Sequence, residues 1–289
     1  MPSVITEPSG ADAVGDVLVL ADERDGSKVT LAPRRGALVT SFTVRERELL
    51  YLEQATLIDG AKNVRGGVPV LFPSPGKLEN DSFTEAGRSY GMKQHGFARN
   101  LPWTVESTTA DDDASATLSL ASSEATLAQF PFEFRTRFTY SLRGTCLRIS
   151  ARVANDGRVR MPYGVGFHPY FRVTDKATAK IDTHATRAFD NVTKKNVPFT
   201  GFDFTMPEVD LHLLDHGGTS SALHLGDGSR IEVRGSPEFT RWVVWSLAGK
   251  DFVCLEPWTS PGNALNTKEQ LLSLDPGATH TSWIEIALG

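Results

Sequence analysis

The sequence predicts an all-β protein, a sandwich or barrel with little helix, and three observations carry that expectation. Apolar residues recur with a period of two along most of the chain, turn residues part these runs at intervals of roughly a dozen positions, and only two short stretches carry helical spacing. The 289 residues contain no linker-like stretch and no shift in composition, so one domain spanning 1–289 around one large core is expected.

In chain order, alternation places strands at 17–21, 28–31, 37–43, 48–52 and 116–120. Ser122 then offers a hydroxyl cap for a short helix running through Gln129. Phe132, Phe134, Phe138 and Tyr140 share one face of the next run, and Leu147, Ile149, Ala151 and Val153 share one face of the run after it. With Arg-Gly-Thr between them, the two runs read as a long antiparallel hairpin. A strand follows at 178–182, and a second hairpin at 222–234 turns on Gly226, Asp227 and Gly228, taken as its positive-φ residues. The remaining expectations are strands at 241–247, 252–256 and 282–287, with two helical turns at 267–273.

One segment breaks this rhythm. Residues 60–103 are rich in glycine and proline, yet Val68, Val70, Leu71, Phe72, Phe83, Tyr90, Phe97 and Trp103 give them apolar anchors. A long loop held in order this way is where function concentrates, and it carries Arg65, Lys77, Arg88, Lys93, His95 and Arg99.

Composition narrows the function classes. Lys and Arg total 30 against 35 Asp and Glu, and a net charge of −5 argues against nucleic acid as a partner. The first ten residues lack a basic start and an apolar core, and no run of about 18 apolar residues occurs. A cytoplasmic protein without a membrane segment is therefore expected. Cys146 and Cys254 lie in strand-like runs without Cys-x-x-Cys spacing and read as buried thiols, a single disulfide being the alternative. Sequence patterns for acyl transfer, nucleotide hydrolysis and dinucleotide binding are missing, which leaves proton transfer without a cofactor.

Two residues suit that chemistry. His168 and Glu256 each precede a proline at the end of an apolar run, and Pro169 and Pro257 hold them extended at expected strand ends. An imidazole and a carboxylate aimed by backbone restriction can serve as acid and base on one substrate. His95 is followed by a glycine that permits close approach, and Arg65 precedes Gly66-Gly67, where its guanidinium can meet hydroxyls or brace the loop. His212 and His216 stand four apart, but Gly217 and Gly218 follow at once and no Glu accompanies them, so no metal site is expected there.

Arg-Gly-Gly-Val-Pro-Val-Leu-Phe-Pro (65–73), Gln-His-Gly-Phe-Ala-Arg (94–99), Gly-Phe-His-Pro-Tyr-Phe (166–171) and Cys-Leu-Glu-Pro-Trp (254–258) together resemble the successive signatures of the aldose 1-epimerases, or galactose mutarotases. The resemblance implies a β-supersandwich with a sugar cleft on its concave side and no metal or organic cofactor. It implies His168 as general acid, Glu256 as general base, and His95 as the histidine that orients the sugar near its ring oxygen. Arg65 and Asp210 would bind hydroxyls, with Asp203 a competitor for the aspartate role, and Phe72, Tyr163, Phe167 and Trp258 would supply apolar surface.

The implied reaction is interconversion of the α and β anomers of a free aldose. A hexose 6-phosphate is the alternative, with Lys77, Arg88, Lys93 or Arg99 holding the phosphate. Two further classes stand beside it: a retaining glycosidase using Asp210 with Glu256, and a silent sugar-binding or regulatory module. Joint presence of His95, His168 and Glu256 disfavours the silent module, because binding alone needs neither acid nor base. Oligomeric state is left open.

Overall fold

A computed structural model describes residues 1–289 and shows strands stacked around a continuous apolar core. One eight-stranded sheet runs, edge to edge, Lys180–Ile181, Ser220–His224, Arg230–Gly235, Thr279–Leu288, Cys146–Asn155, Phe134–Arg143, Ala114–Ala121 and Thr104–Ala110. The site-bearing sheet orders Lys195–Pro198, Arg187–Asp190, Glu208–Leu213, Arg241–Leu247, Phe252–Trp258, Gly166–Phe167 and Val70–Leu71, and Tyr170–Arg172 also pairs with Phe252–Trp258. A five-stranded sheet of Pro2–Pro8, Asp16–Asp22, Ser27–Ala32, Leu38–Val44 and Arg47–Glu48 completes the architecture. All pairings within these sheets are antiparallel, and no helix is long and apolar enough to cross a membrane.

The long hairpin forms as its alternation predicts. Phe134, Thr136, Phe138, Tyr140 and Leu142 point inward, and Arg143 pairs with Cys146 across Gly144, whose φ of 58° a two-residue turn requires. Phe132 lies before the strand but still packs in the core. Phe138 meets Phe167 of the site-bearing sheet at 6.0 Å between ring centroids, which places the core between the two large sheets. Buried Asp22 accepts from Arg24 and from the Gly144 backbone N–H, tying the five-stranded sheet to this hairpin's turn.

Several local expectations need correction. The second hairpin forms between Ser220–His224 and Arg230–Gly235, but only Gly228 of its turn has positive φ. The expected helix from Ser122 is a single turn, Glu124–Leu127, capped by Ser123 and not Ser122. No helix occupies 267–273: the turn is Ala264–Thr267, ended by Lys268 in the left-handed region, and Leu272–Leu274 is a strand against Met161–Tyr163. The expected strand at 178–182 shrinks to Lys180–Ile181. Both cysteines are free thiols, Cys254 buried and Cys146 half-buried.

Candidate active site

The site-bearing sheet is buried on both faces, and strand parity separates them. Trp242, Val244, Val253, Leu255, Phe167 and Phe171 enter the main core, while Tyr170, Cys254 and Phe252 form one small cluster and Leu71, Val243 and Trp258 another. Gly166 pairs with Trp258 and Tyr170 with Cys254, so His168 falls directly opposite Glu256 in register. Continuing across the sheet, Glu256 pairs with Val243 and then His212, and the neighbouring row runs Tyr170, Cys254, Trp245, Asp210. His168, Glu256 and Asp210 thus occupy two adjacent rows on one sheet face.

Register brings the side chains together. His168 Nε2 lies 3.3 Å from Glu256 Oε1, and the Trp258 indole N–H donates to Glu256 Oε2 at 3.2 Å. His168 stacks on Tyr170 with centroids 4.6 Å apart and planes 9° from parallel, and the Trp245 ring meets it edge-on at 5.7 Å. His168 also takes its backbone position from a hydrogen bond donated by its N–H to the Pro69 carbonyl. It directly follows the strand Gly166–Phe167, as expected, whereas Glu256 lies inside its strand and not at the end.

The 60–103 segment supplies the third histidine. Gly96, at φ 69°, passes so close that a Cβ would sit 2.2 Å from the Phe72 carbonyl oxygen, and His95 before it is itself left-handed at φ 71°. That turn brings the His95 ring to 5.6 Å from His168 and 6.0 Å from Trp258. Its Nδ1 meets the Pro75 carbonyl, which only accepts, so Nδ1 carries the proton and Nε2 presents a lone pair, here taken by the Gln94 amide at 3.2 Å.

Burial governs the charges. His95 is pushed down to about 3 by burial and then by the Arg99 guanidinium, so the ring is neutral. Burial, with His95 and Arg99 nearby, holds His168 well below the usual imidazole range, and burial with the Asp210 charge lifts Glu256 well above the usual carboxylate range. Both shifts favour the neutral acid beside the neutral imidazole over the ion pair in the substrate-free site. Neutral acid beside neutral imidazole and carboxylate beside imidazolium hold the same single proton and differ only by its transfer across the 3.3 Å contact.

Arg65 lies half-exposed above the Trp245 ring, 6.0 Å to its centroid, with Nε 4.0 Å from Glu53. Asp210 is on the site face, accepting from Asn191 at 2.7 Å and lying 3.4 Å from His212, while Asp203 sits in an exposed stretch bonded to Thr205. Phe72, Tyr163 and Phe167 correct the sequence expectation. Phe72 packs among Phe97, Phe130, Phe134 and Tyr163, and the Tyr163 hydroxyl pairs with His280 instead of facing the Glu256 row. Parity is the reason for Phe72: it follows Leu71, which takes the site face.

His212 and His216 do not share a helix. His212 is in a strand beside Trp258, and His216 is buried between Thr183 and the Ser220 carbonyl. Sequence reasoning missed Tyr170 and Trp245 as the walls around His168. Tyr170 was legible as the residue two beyond it on a strand, but Trp245 required the register.

The all-β fold thus sets a buried histidine against a buried glutamate on one sheet face. The Aldose 1-epimerase family model matches residues 16–287, and the chain belongs to that family. The structure is similar to Slr1438 from Synechocystis sp. PCC 6803, at 39% identity and a TM-score of 0.93 over 94% of this chain and 95% of that one. It shares its fold with a galactose mutarotase-like protein from Clostridium acetobutylicum, at 18% identity and a TM-score of 0.85 over 100% and 98% of the two chains. In sequence it is 30% identical over 166 residues to a Salmonella typhimurium protein named "Putative glucose-6-phosphate 1-epimerase", a match covering 57% of this chain and 52% of that protein.

Proposed function

We propose that the protein interconverts the α and β anomers of a free aldose by ring opening and reclosure, with His168 and Glu256 as its proton-transfer pair. The observation that carries this reading is their placement in register, 3.3 Å apart and nearly closed to solvent. Proton transfer from Glu256 to His168 gives the working state without exchange with solvent. Glu256 then takes the proton of the anomeric hydroxyl while His168 protonates the ring oxygen, and the C1–O5 bond breaks. Rotation about C1–C2 and reclosure with the proton roles reversed give the other anomer. The Trp258 N–H and the Arg99 charge favour the carboxylate in the working state.

His95 Nε2 accepts from a sugar hydroxyl, Arg65 and Asp210 bind ring hydroxyls, and Trp258 offers apolar surface. No metal or organic cofactor enters the scheme. The apolar core draws on all three large sheets, which supports a single domain over 1–289. Glu256 contacts His168, while Asp210 is engaged by Asn191 and His212, an arrangement that favours the epimerase over a two-carboxylate glycosidase.

Two of the four candidate phosphate cations are engaged elsewhere, which supports an unphosphorylated substrate: Lys77 is matched by Asp81 at 3.7 Å and Arg88 lies against Tyr90, while Lys93 is exposed without an ion pair and Arg99 lies near His95 and His168. The name of the Salmonella relative favours a second reading, a hexose 6-phosphate. Polarimetry of freshly dissolved α-D-glucose and α-D-galactose, beside a coupled assay on glucose 6-phosphate, ranks the substrates. Acceleration by wild type and its loss in Glu256→Gln is the expected result; no acceleration on any aldose by folded protein sinks the proposal.

A further inference from the structure

Beside the proton-transfer pair stands a thiol the reaction does not use. Cys254 precedes Glu256 by two residues on one strand, so both side chains leave the same sheet face, and Cys254 is fully buried. One donor atom each from His168, Cys254 and Glu256 lies within 4.8 Å of the other two. His168 Nδ1 is buried without a hydrogen-bond partner, so the polar contact that holds the ring is the one from Nε2 to Glu256, itself a member of the cluster.

These dimensions suit a small tetrahedral cation. Metal–nitrogen and metal–oxygen bonds of about 2.0–2.1 Å at a tetrahedral angle separate the two donors by about 3.3 Å, which matches the 3.3 Å between His168 Nε2 and Glu256 Oε1. A metal–sulfur bond of about 2.3 Å asks for roughly 3.6 Å to the other donors, within about an ångström of the observed limit. A thiolate, an imidazole and a carboxylate select borderline-soft divalent ions such as Zn2+ or Cd2+ over Mg2+ or Ca2+.

We infer that His168, Cys254 and Glu256 form an inhibitory site for thiophilic divalent cations, in which the metal captures the acid and base. The inhibition rests on the epimerase reading; the metal site does not. Binding one M2+ displaces two protons to solvent, one from the Cys254 thiol and the one shared by His168 and Glu256. The product holds a dication, a thiolate, a carboxylate and a neutral imidazole, with net charge zero. Neutrality matters here because burial opposes each charge taken singly.

Cd2+ titration of the purified, reduced protein tests this by the ultraviolet thiolate-to-cadmium charge-transfer band. The expected result is one equivalent bound, with parallel loss of mutarotation. In Cys254→Ala the band disappears and half-inhibition, read against that variant's own rate, moves up by more than about a hundredfold, beyond what loss of an outer-shell support costs. Cys146→Ala keeps the band. Cys254→Ser serves in place of the alanine variant if that one fails to fold. A band that survives in Cys254→Ala or Cys254→Ser, or none in wild type, overturns the site. Stoichiometric binding through Cys254 in a protein inactive on every aldose overturns the epimerase reading and leaves the metal site standing.

Discussion

Replacing Trp258 with phenylalanine removes one hydrogen bond at the base while keeping an aromatic surface for the sugar. The indole N–H donates to Glu256 Oε2 at 3.2 Å, and it is the direct donor that favours the carboxylate against burial and the Asp210 charge. Phenylalanine keeps an aromatic edge toward His95 and His212 but removes the donor. A hydrogen bond to a charged group is worth about 1.5–3 kcal/mol. Since the carboxylate is the working form and the neutral acid the resting one, most of that difference falls on the barrier. At about 1.4 kcal/mol per tenfold, kcat/KM for mutarotation should fall roughly ten- to hundredfold. Polarimetric progress curves give the rate, and thermal melting shows whether the variant is folded. A folded Trp258→Phe with wild-type kcat/KM would refute the argument that this donor holds the base in its working form.

Three other outcomes follow from the geometry. Glu256→Gln and His168→Asn should each cost about 10²–10⁴ in rate, and the double variant little more than either alone, because one ring opening uses both; multiplicative losses by polarimetry would separate their roles. With His168 depressed below its ordinary 6.5 and Glu256 raised above its ordinary 4.5, the working pair keeps its one proton between those shifted values. Activity should then fall with acid only below pH 6.5, as a second proton reaches the pair, and an acid limb centred above 6.5 would refute the depressed imidazole. Gly96→Ala should lower the urea midpoint more than Gly87→Ala: both glycines are left-handed, which costs about 1–2 kcal/mol for alanine, but Gly87 has open space while the Gly96 Cβ meets the Phe72 carbonyl. Equal midpoints would mean that the loop yields at no cost.

What could be read without coordinates was the part fixed by local chemistry. His168-Pro169 and Glu256-Pro257 announced themselves because proline restricts the residue before it, and the alternation of 134–153 announced a hairpin because one of its faces is buried. Phe72 and Tyr163 misled because an aromatic beside a motif carries no sign of which face it takes, and in a two-residue strand such as Val70–Leu71 there is no alternation to read. The helix expected at 267–273 failed for a related reason. Asn263 and Lys268 adopt left-handed conformations that confine the turn between them, a choice of backbone that side-chain pattern does not encode. The charge states depended on burial by segments distant in sequence, so no local reading reached them.

Pairing of Gly166 with Trp258 and Tyr170 with Cys254 means that partner positions always sum to the same number, and 168 with 256 is the central term. A one-residue deletion inside either short segment would therefore turn the imidazole or the carboxylate toward the hydrophobic interior while leaving the chain's composition almost untouched. Between them, Glu208–Leu213 and Arg241–Leu247 obey the same rule, because they carry Asp210, His212 and Trp245 into these rows. The excursions joining the strands of 173–251 are free of it and can lengthen, shorten or accept a foreign insertion, provided each of these strands is re-entered in phase, so diversification of this scaffold is confined to its connections.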